Sequence, residues 1–185
     1  NLDGTWSYTP AGDDDSSVSF SYTIEDGAGG SVAGSATLDI TPVNDAPTTS
    51  PVTLAVIAED SGARLITQAE LLGNAADIDG NPLSATNLTI SAGNGSLVDN
   101  LDGTWSYTPA GDDDSSVSFS YTIEDGAGGS VAGSATLDIT PVNDAPTTSP
   151  VTLAVIAEDS GARLITQAEL LGNAADIDGG ALSAT

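Results

Sequence analysis

Apolar and polar residues alternate strictly through SVSFSYTI (17–24): Val18, Phe20, Tyr22 and Ile24 share one side of an extended chain, and serine or threonine fills the other. A period of two belongs to a half-buried strand. SVAGSATLDI (31–40) reads the same way through Val32, Ala36, Leu38 and Ile40, and the glycine-rich EDGAGG between the runs is a hairpin connection. NLDGTWSYTP (1–10) contributes an Asp-Gly turn at Asp3 and Gly4, then a strand with Trp6 and Tyr8 in phase. Val52–Ala58 supplies another strand, with Pro47 and Pro51 keeping its approach extended. One segment, TQAELLGNA (67–75), departs from this period. Thr67 and Glu70 stand at capping-box spacing, Leu71 and Leu72 point to a core, and Gly73 with Asn74 forms a stop, which predicts a helix of one or two turns. Short strands with turn signals every 8 to 12 residues or so predict an all-β fold of tandem immunoglobulin-like antiparallel sandwiches, each with one short helix.

The pattern itself repeats. A shift of 99 positions superimposes residues 1–86 on 100–185 with two differences, Asn81 to Gly180 and Pro82 to Ala181. One complete repeat is expected over 44–142, preceded by the C-terminal half of a repeat (1–43) and followed by the N-terminal half of the next (143–185). Ends that fall inside repeats suggest a window on a longer array. A unit of this size can close its own modest core.

Charge narrows the function classes. The chain holds 27 acidic residues against two arginines, with no lysine, histidine, cysteine or methionine, and a formal net charge of −25. A phosphate backbone or an anionic membrane surface repels such a protein, so neither nucleic acid nor membrane is an expected partner. No apolar run approaches the roughly 20 residues of a membrane span. Absent cysteine removes disulfide bracing and leaves metal as the candidate staple of a secreted domain. Regularly placed apolar residues argue against a disordered acidic tail. Catalysis is not expected: there is no histidine or cysteine to serve as base or nucleophile and no lysine for a Schiff base. Paired carboxylates serve glycoside hydrolysis only in a cleft, which a sandwich with acids at its poles does not offer.

Strand alternation places those acids. If the linker at Asn44 and Asp45 enters at the top of a repeat, the first strand descends to Glu59 and Asp60, and Asp77 with Asp79 of ADIDG returns to the top. The loop Asp112–Asp114 falls at the bottom, and IEDG with Asp125 turns at the top. Around Asn143 the converging set is then Glu59, Asp112, Asp113 and Asp114 from one repeat, Asn143 and Asp144 in the linker, and Asp176 and Asp178 from the next. Carboxylates this close repel by roughly 1 kcal/mol per pair even in water. Calcium answers that repulsion best, with six to eight oxygen ligands at about 2.3–2.6 Å, whereas zinc wants the histidine or cysteine that is absent.

ELLGNAADIDGNPL, GTWSYTP, FSYTIEDGAGG and TPVNDAP, in that order, resemble the bacterial cadherin-like tandem repeats of very large calcium-dependent adhesins, over the full repeat and hence the whole chain. The resemblance implies a calcium-rigidified sandwich in an extended extracellular stalk that supports adhesion or biofilm. By similarity to cadherins, Glu59 corresponds to the acid ending the first strand, Asn143 and Asp144 to the linker pair, and Asp176 and Asp178 to the paired acids of the following domain. Ala75 and Asn81 stand where such repeats often carry aspartate, and the triplet Asp112–Asp114 replaces the Asp-Arg-Glu loop.

Other readings stand beside this one. An EF-hand at ADIDG fails because position twelve from Asp77 is Leu88 rather than glutamate. Asp77 and Asp79 in a solvated turn would simply bond their own backbone. Trp6, Tyr8, Phe20 and Tyr22, or Trp105 and Tyr107, would form a sugar-stacking row if exposed and core if buried, which makes carbohydrate binding the rival function. Arg64 pairs with a nearby acid or braces the inter-repeat surface. Residues 143–185 of one chain can complement residues 1–43 of another in head-to-tail self-association.

Overall fold

The computed structural model describes residues 4–185; Asp3, of the first Asp-Gly turn, lies outside them. The hairpin predicted at 17–40 forms as β1 (Val18–Glu25) and β2 (Ser31–Leu38), antiparallel with Phe20 opposite Ala36. The complete repeat follows as β3 (Val52–Thr53), β4 (Ile57–Ala58), β5 (Arg64–Thr67), α1 (Gln68–Leu71), β6 (Ser84–Ala92), β7 (Ser96–Asp99), β8 (Thr104–Thr108), β9 (Val117–Glu124), β10 (Ser130–Leu137) and β11 (Ile139–Thr140). A second short helix, α2 (Gln167–Leu170), lies near the C-terminus.

Two sheets face each other across the core. One has the order β3-β10-β9-β6 and the other β5-β8-β7, with β11 and β4 paired beside them. Phe119 on β9 sits opposite Ala135 on one side and Ile90 on the other. The in-phase residues point inward as their period requires: Trp105 and Tyr107 on β8, and Phe119, Tyr121 and Ile123 on β9, are all buried. Tyr107 and Phe119 meet edge to face with ring centroids 5.4 Å apart across the two sheets. Each buried phenol finds an acceptor, Tyr121 on the Leu71 carbonyl (2.7 Å) and Tyr107 on that of Asn94 (2.6 Å).

The expectation of a purely antiparallel sandwich needs one correction. Val52–Ala58 is not one strand but two, and both pair in parallel, β3 with β10 (Val52 beside Ala135) and β4 with β11 (Ile57 beside Ile139). The physical reason is direction: the first and last strands of a repeat both run from the top pole to the bottom, so placing them side by side makes a parallel pair.

The helix keeps to its cap. Thr67 Oγ1 accepts from the Glu70 N–H, and Glu70 returns its carboxylate to the Thr67 N–H at 2.9 Å. Arg64 donates to the other oxygen of Glu70 at 2.7 Å, so the lone cation of the repeat braces the capping box and not the inter-repeat surface. The flanking segments repeat these local features without the rest of a sandwich: β1 and β2 pair in the register of β9 and β10, and Thr166 caps α2 with Glu169 as Thr67 caps α1.

Because the core lies in the complete repeat, Phe119→Ala should lower its unfolding free energy by about 3–5 kcal/mol, while Phe20→Ala, at the equivalent flanking position, should leave that transition unmoved; urea denaturation of the two variants measures both.

Candidate metal centre at the repeat junctions

Each linker is clamped between two poles. At the top of the complete repeat the Asn44 side-chain amide donates to Asp125 at 2.8 Å, and Asn81 donates to the Asn44 oxygen at 2.8 Å. The Asp45 N–H donates to Asp79 at 2.7 Å, and an antiparallel bridge from Thr48 to Ala76 holds ADIDG against the chain leaving the linker. Asp77 Oδ1 accepts the N–H groups of Asp79 and Asn81, which shapes the turn but leaves its Oδ2 buried with no hydrogen-bond partner. Asp13, from the loop of the preceding half repeat, lines the cleft beside Asp45 and Asp77.

The bottom junction repeats this arrangement with the preceding repeat complete. Glu59, buried at the end of the first strand, accepts the Val142 N–H at 2.6 Å. The Asp144 N–H donates to Asp178 at 2.7 Å, and the Asp178 N–H in turn donates to Asp176. Glu59, Asp144 and Asp178 each bring a carboxylate oxygen to within 4.8 Å of the others. These three acids come from a repeat, its linker and the next repeat. Asp144 Oδ2 is buried without a partner, and Asp112 and Asp176 line the adjoining cleft.

The predicted residues thus divide. Glu59, Asp144 and Asp178 converge directly, with Asp112 and Asp176 lining the adjoining cleft; at the top, Asp45 and Asp77 line a cleft with Asp13, and Asp79 accepts the Asp45 N–H, without a convergence of three carboxylates among the described residues. Asn44 and Asn143 orient the linker, Asn143 by donating to the Asp144 carbonyl. Asp125 serves the turn instead. Fully buried, it accepts from Asn44 and from the N–H groups of Ala127, Gly128 and Gly129, closing the β9–β10 turn onto the linker. Gly129 permits that approach, because a Cβ there would lie 2.3 Å from Asp125 and 2.8 Å from the Ala46 backbone. Asp113 is engaged by Ser115 in its own loop and by Asn94 of the β6–β7 turn, and Asp114 is exposed. Two residues named from the sequence without a part in the site contribute to it. Asp60 adds its charge to the field at Asp144, and Asn81 braces the linker amide, a contact that Gly180 deletes at the second junction. The rival sugar platform is absent from the complete repeat, where Trp105 and Tyr107 are buried.

Electrostatics separates strain from support. Desolvation, followed by the charges of Asp112, Asp60 and Asp178, raises the Asp144 carboxyl above its ordinary value. Asp13 foremost, then desolvation and the Asp79 and Asp77 charges, does the same to Asp45. Asp125 is lowered instead, chiefly by the Asn44 amide and then by the turn N–H groups. An all-oxygen donor set of crowded carboxylates with a buried orphaned oxygen suits a hard divalent cation.

A family profile described as cadherin-like domain matches residues 1–41, 43–140 and 142–185. Among solved structures the chain is similar to protocadherin gammaB7 EC3-6 in its cis-dimer structure, with a TM-score of 0.50, 19% identity, and coverage of 75% of this chain and 36% of that one. It is similar to human mucin-like protocadherin EC1-2 at a TM-score of 0.46, 17% identity and 73% of each chain. An endo-fucoidan hydrolase of glycoside hydrolase family 107 matches at a TM-score of 0.36 and 21% identity over 78% of this chain, which spans 23% of the hydrolase. At 19% identity the likeness to the protocadherin gammaB7 structure bears on the fold alone, and nothing rests on the other two. No curated protein matches the chain in sequence.

In chelator, Asp144→Asn should raise the urea midpoint at pH 7 by removing repulsion, and the gain should vanish by about pH 3, where the raised wild-type carboxyl is already neutral. Asp125→Ala should lower the midpoint at pH 7, with the loss fading only below about pH 4 as the depressed wild-type carboxylate takes up its proton. Paired denaturation series at the two pH values check both signs.

Proposed function

Because the chain belongs to the family of cadherin-like domains, we propose that it is a non-catalytic, adhesion-type extracellular repeat whose junctions are stiffened by calcium, serving as the stalk of a large bacterial surface adhesin. The convergence of Glu59, Asp144 and Asp178, one acid from each of three consecutive segments, carries this reading.

Glu59 and Asp178 each accept a linker N–H, so the backbone from Val142 to Asp144 is tethered to both flanking repeats. Those tethers place three carboxylates in mutual repulsion, which favours opening the hinge. Calcium would supply the missing positive charge and turn the repulsion into attraction. Glu59 then holds the upper repeat, Asp178 the lower one and Asp144 the linker, and bending the hinge would mean separating ligands. The all-oxygen set fits this ion, and extracellular modules bind it at about 10⁻⁴ to 10⁻³ M. Export from a calcium-poor to a calcium-rich compartment would itself set the rod.

Small-angle scattering of a protein with several repeats should give a larger maximum dimension in millimolar calcium than in chelator; equal dimensions would overturn the reading. Glu59→Gln and Asp178→Asn should each weaken calcium binding by about tenfold or more, since ligand charge count tunes affinity over decades, as read by titration calorimetry.

A further inference from the structure

Asn94 and Gly95 form the one Asn-Gly pair of the sequence, in the exposed turn between β6 and β7 of the complete repeat. The fold itself demands the glycine. Its φ of +119° suits a residue without Cβ, and a Cβ there would lie 2.6 Å from the Thr108 carbonyl oxygen and 2.7 Å from the Tyr107 side chain. Packing therefore leaves the Gly95 nitrogen unshielded beside the Asn94 carboxamide, and a bond from that nitrogen to Asn94 Cγ closes a succinimide ring.

Two neighbours hold Asn94. The Tyr107 hydroxyl donates to its backbone carbonyl at 2.6 Å. That carbonyl and the Gly95 N–H belong to one conjugated peptide group, so the bond fixes the plane of the nucleophile and draws charge from it, which eases loss of its proton. At the other end, Asn94 Nδ2 donates to Asp113 Oδ2 at 2.5 Å. Ser115 aims the acid, because its N–H and its hydroxyl both donate to Oδ1. These bonds, those of Ser115 and Asn94 together, hold the Asp113 carboxyl below its ordinary value, so it is an anion at neutral pH. Asp113 opposes ring closure in two ways. It anchors the nitrogen that closure must expel with a charge-assisted hydrogen bond, and its negative charge makes Cγ a poorer electrophile.

We propose that Asn94 and Gly95 are a self-modifying site for which Asp113 is the latch. The Gly95 nitrogen bonds to Asn94 Cγ, the Cγ–Nδ2 bond breaks, and the Gly95 proton departs with Nδ2 as ammonia. Water then opens the ring at either carbonyl, giving aspartate on the original backbone or isoaspartate with the chain rerouted through Cβ and Cγ. Either product replaces the donor beside Asp113 with a second carboxylate. Repulsion between the two parts the β6–β7 turn from the loop that carries Asp112 to the junction cleft. Loss of ammonia makes the change one-way, so an array accumulates it with age.

Peptide mass spectrometry tests this on the whole chain held for days in neutral buffer with chelator, where the calcium reading above does not enter. Chromatography separates the aspartate and isoaspartate peptides. Conversion is expected at Asn94 ahead of every other asparagine, with both products present. Asp113→Asn keeps Oδ1 for Ser115 but turns an amide toward Asn94, so it should speed conversion by about fivefold or more. Ser115→Ala, which disturbs the same loop but spares the bond to Asn94, should speed it far less. Absence of conversion at Asn94, or aspartate without isoaspartate, overturns the self-modifying site. Conversion no faster in Asp113→Asn than in the wild type, or equally fast in Ser115→Ala, leaves the site standing and overturns the latch.

Discussion

Carboxylates from consecutive repeats meet across a linker too short to keep them apart, and that crowding organises the rest of the molecule. The TPVNDAP segments give the chain no slack: Val142 is held by Glu59 and Asp144 by Asp178, so the peptide bonds that fasten the repeats together also force their acids to converge. Backbone N–H groups satisfy one oxygen of several of these carboxylates and leave Asp77 Oδ2 and Asp144 Oδ2 buried and unpaired. A buried polar atom without a partner is costly, and the Asp144 carboxyl is further raised by desolvation and then by the Asp112, Asp60 and Asp178 charges.

The sandwich presents these acids without needing them for its own cohesion. Its stability comes from the apolar face shared by β8 and β9, with Tyr107 against Phe119 and Tyr121 tied to α1. The poles are left to polar chemistry. Asp125 shows the contrast within one pole, since it is an aspartate like its neighbours yet is supported by Asn44 and three turn amides, and so it acts as a structural anchor. Asp45, a residue away from Asn44, has its carboxyl raised by surrounding charge.

Much of this was legible in the sequence because the signals are local. The period-two runs at 17–40 and their copies, the Thr67 and Glu70 capping box, and the fixed 99-residue shift each specify a feature that forms even in the flanking half repeats, where no complete sandwich supports it. The poles to which Glu59, Asp45, Asp77, Asp79, Asp144 and Asp178 belong followed from counting strand reversals. Features set by tertiary context were not legible. The division of Val52–Ala58 into β3 and β4 depends on which neighbours each half meets. Strand β6 carries a register shift at Asn87, with positive φ there, which breaks the alternation that would have announced it. The partner of Arg64, the support beneath Asp125 and the reach of Asp60 toward Asp144 involve side chains whose directions the strand pattern leaves open.

If consecutive repeats share a cation through Glu59, Asp144 and Asp178, anomalous diffraction from crystals grown in millimolar calcium should show a peak among these three carboxylates, with oxygen distances of about 2.3–2.6 Å. A map with the three side chains turned to solvent and no peak between them would contradict it.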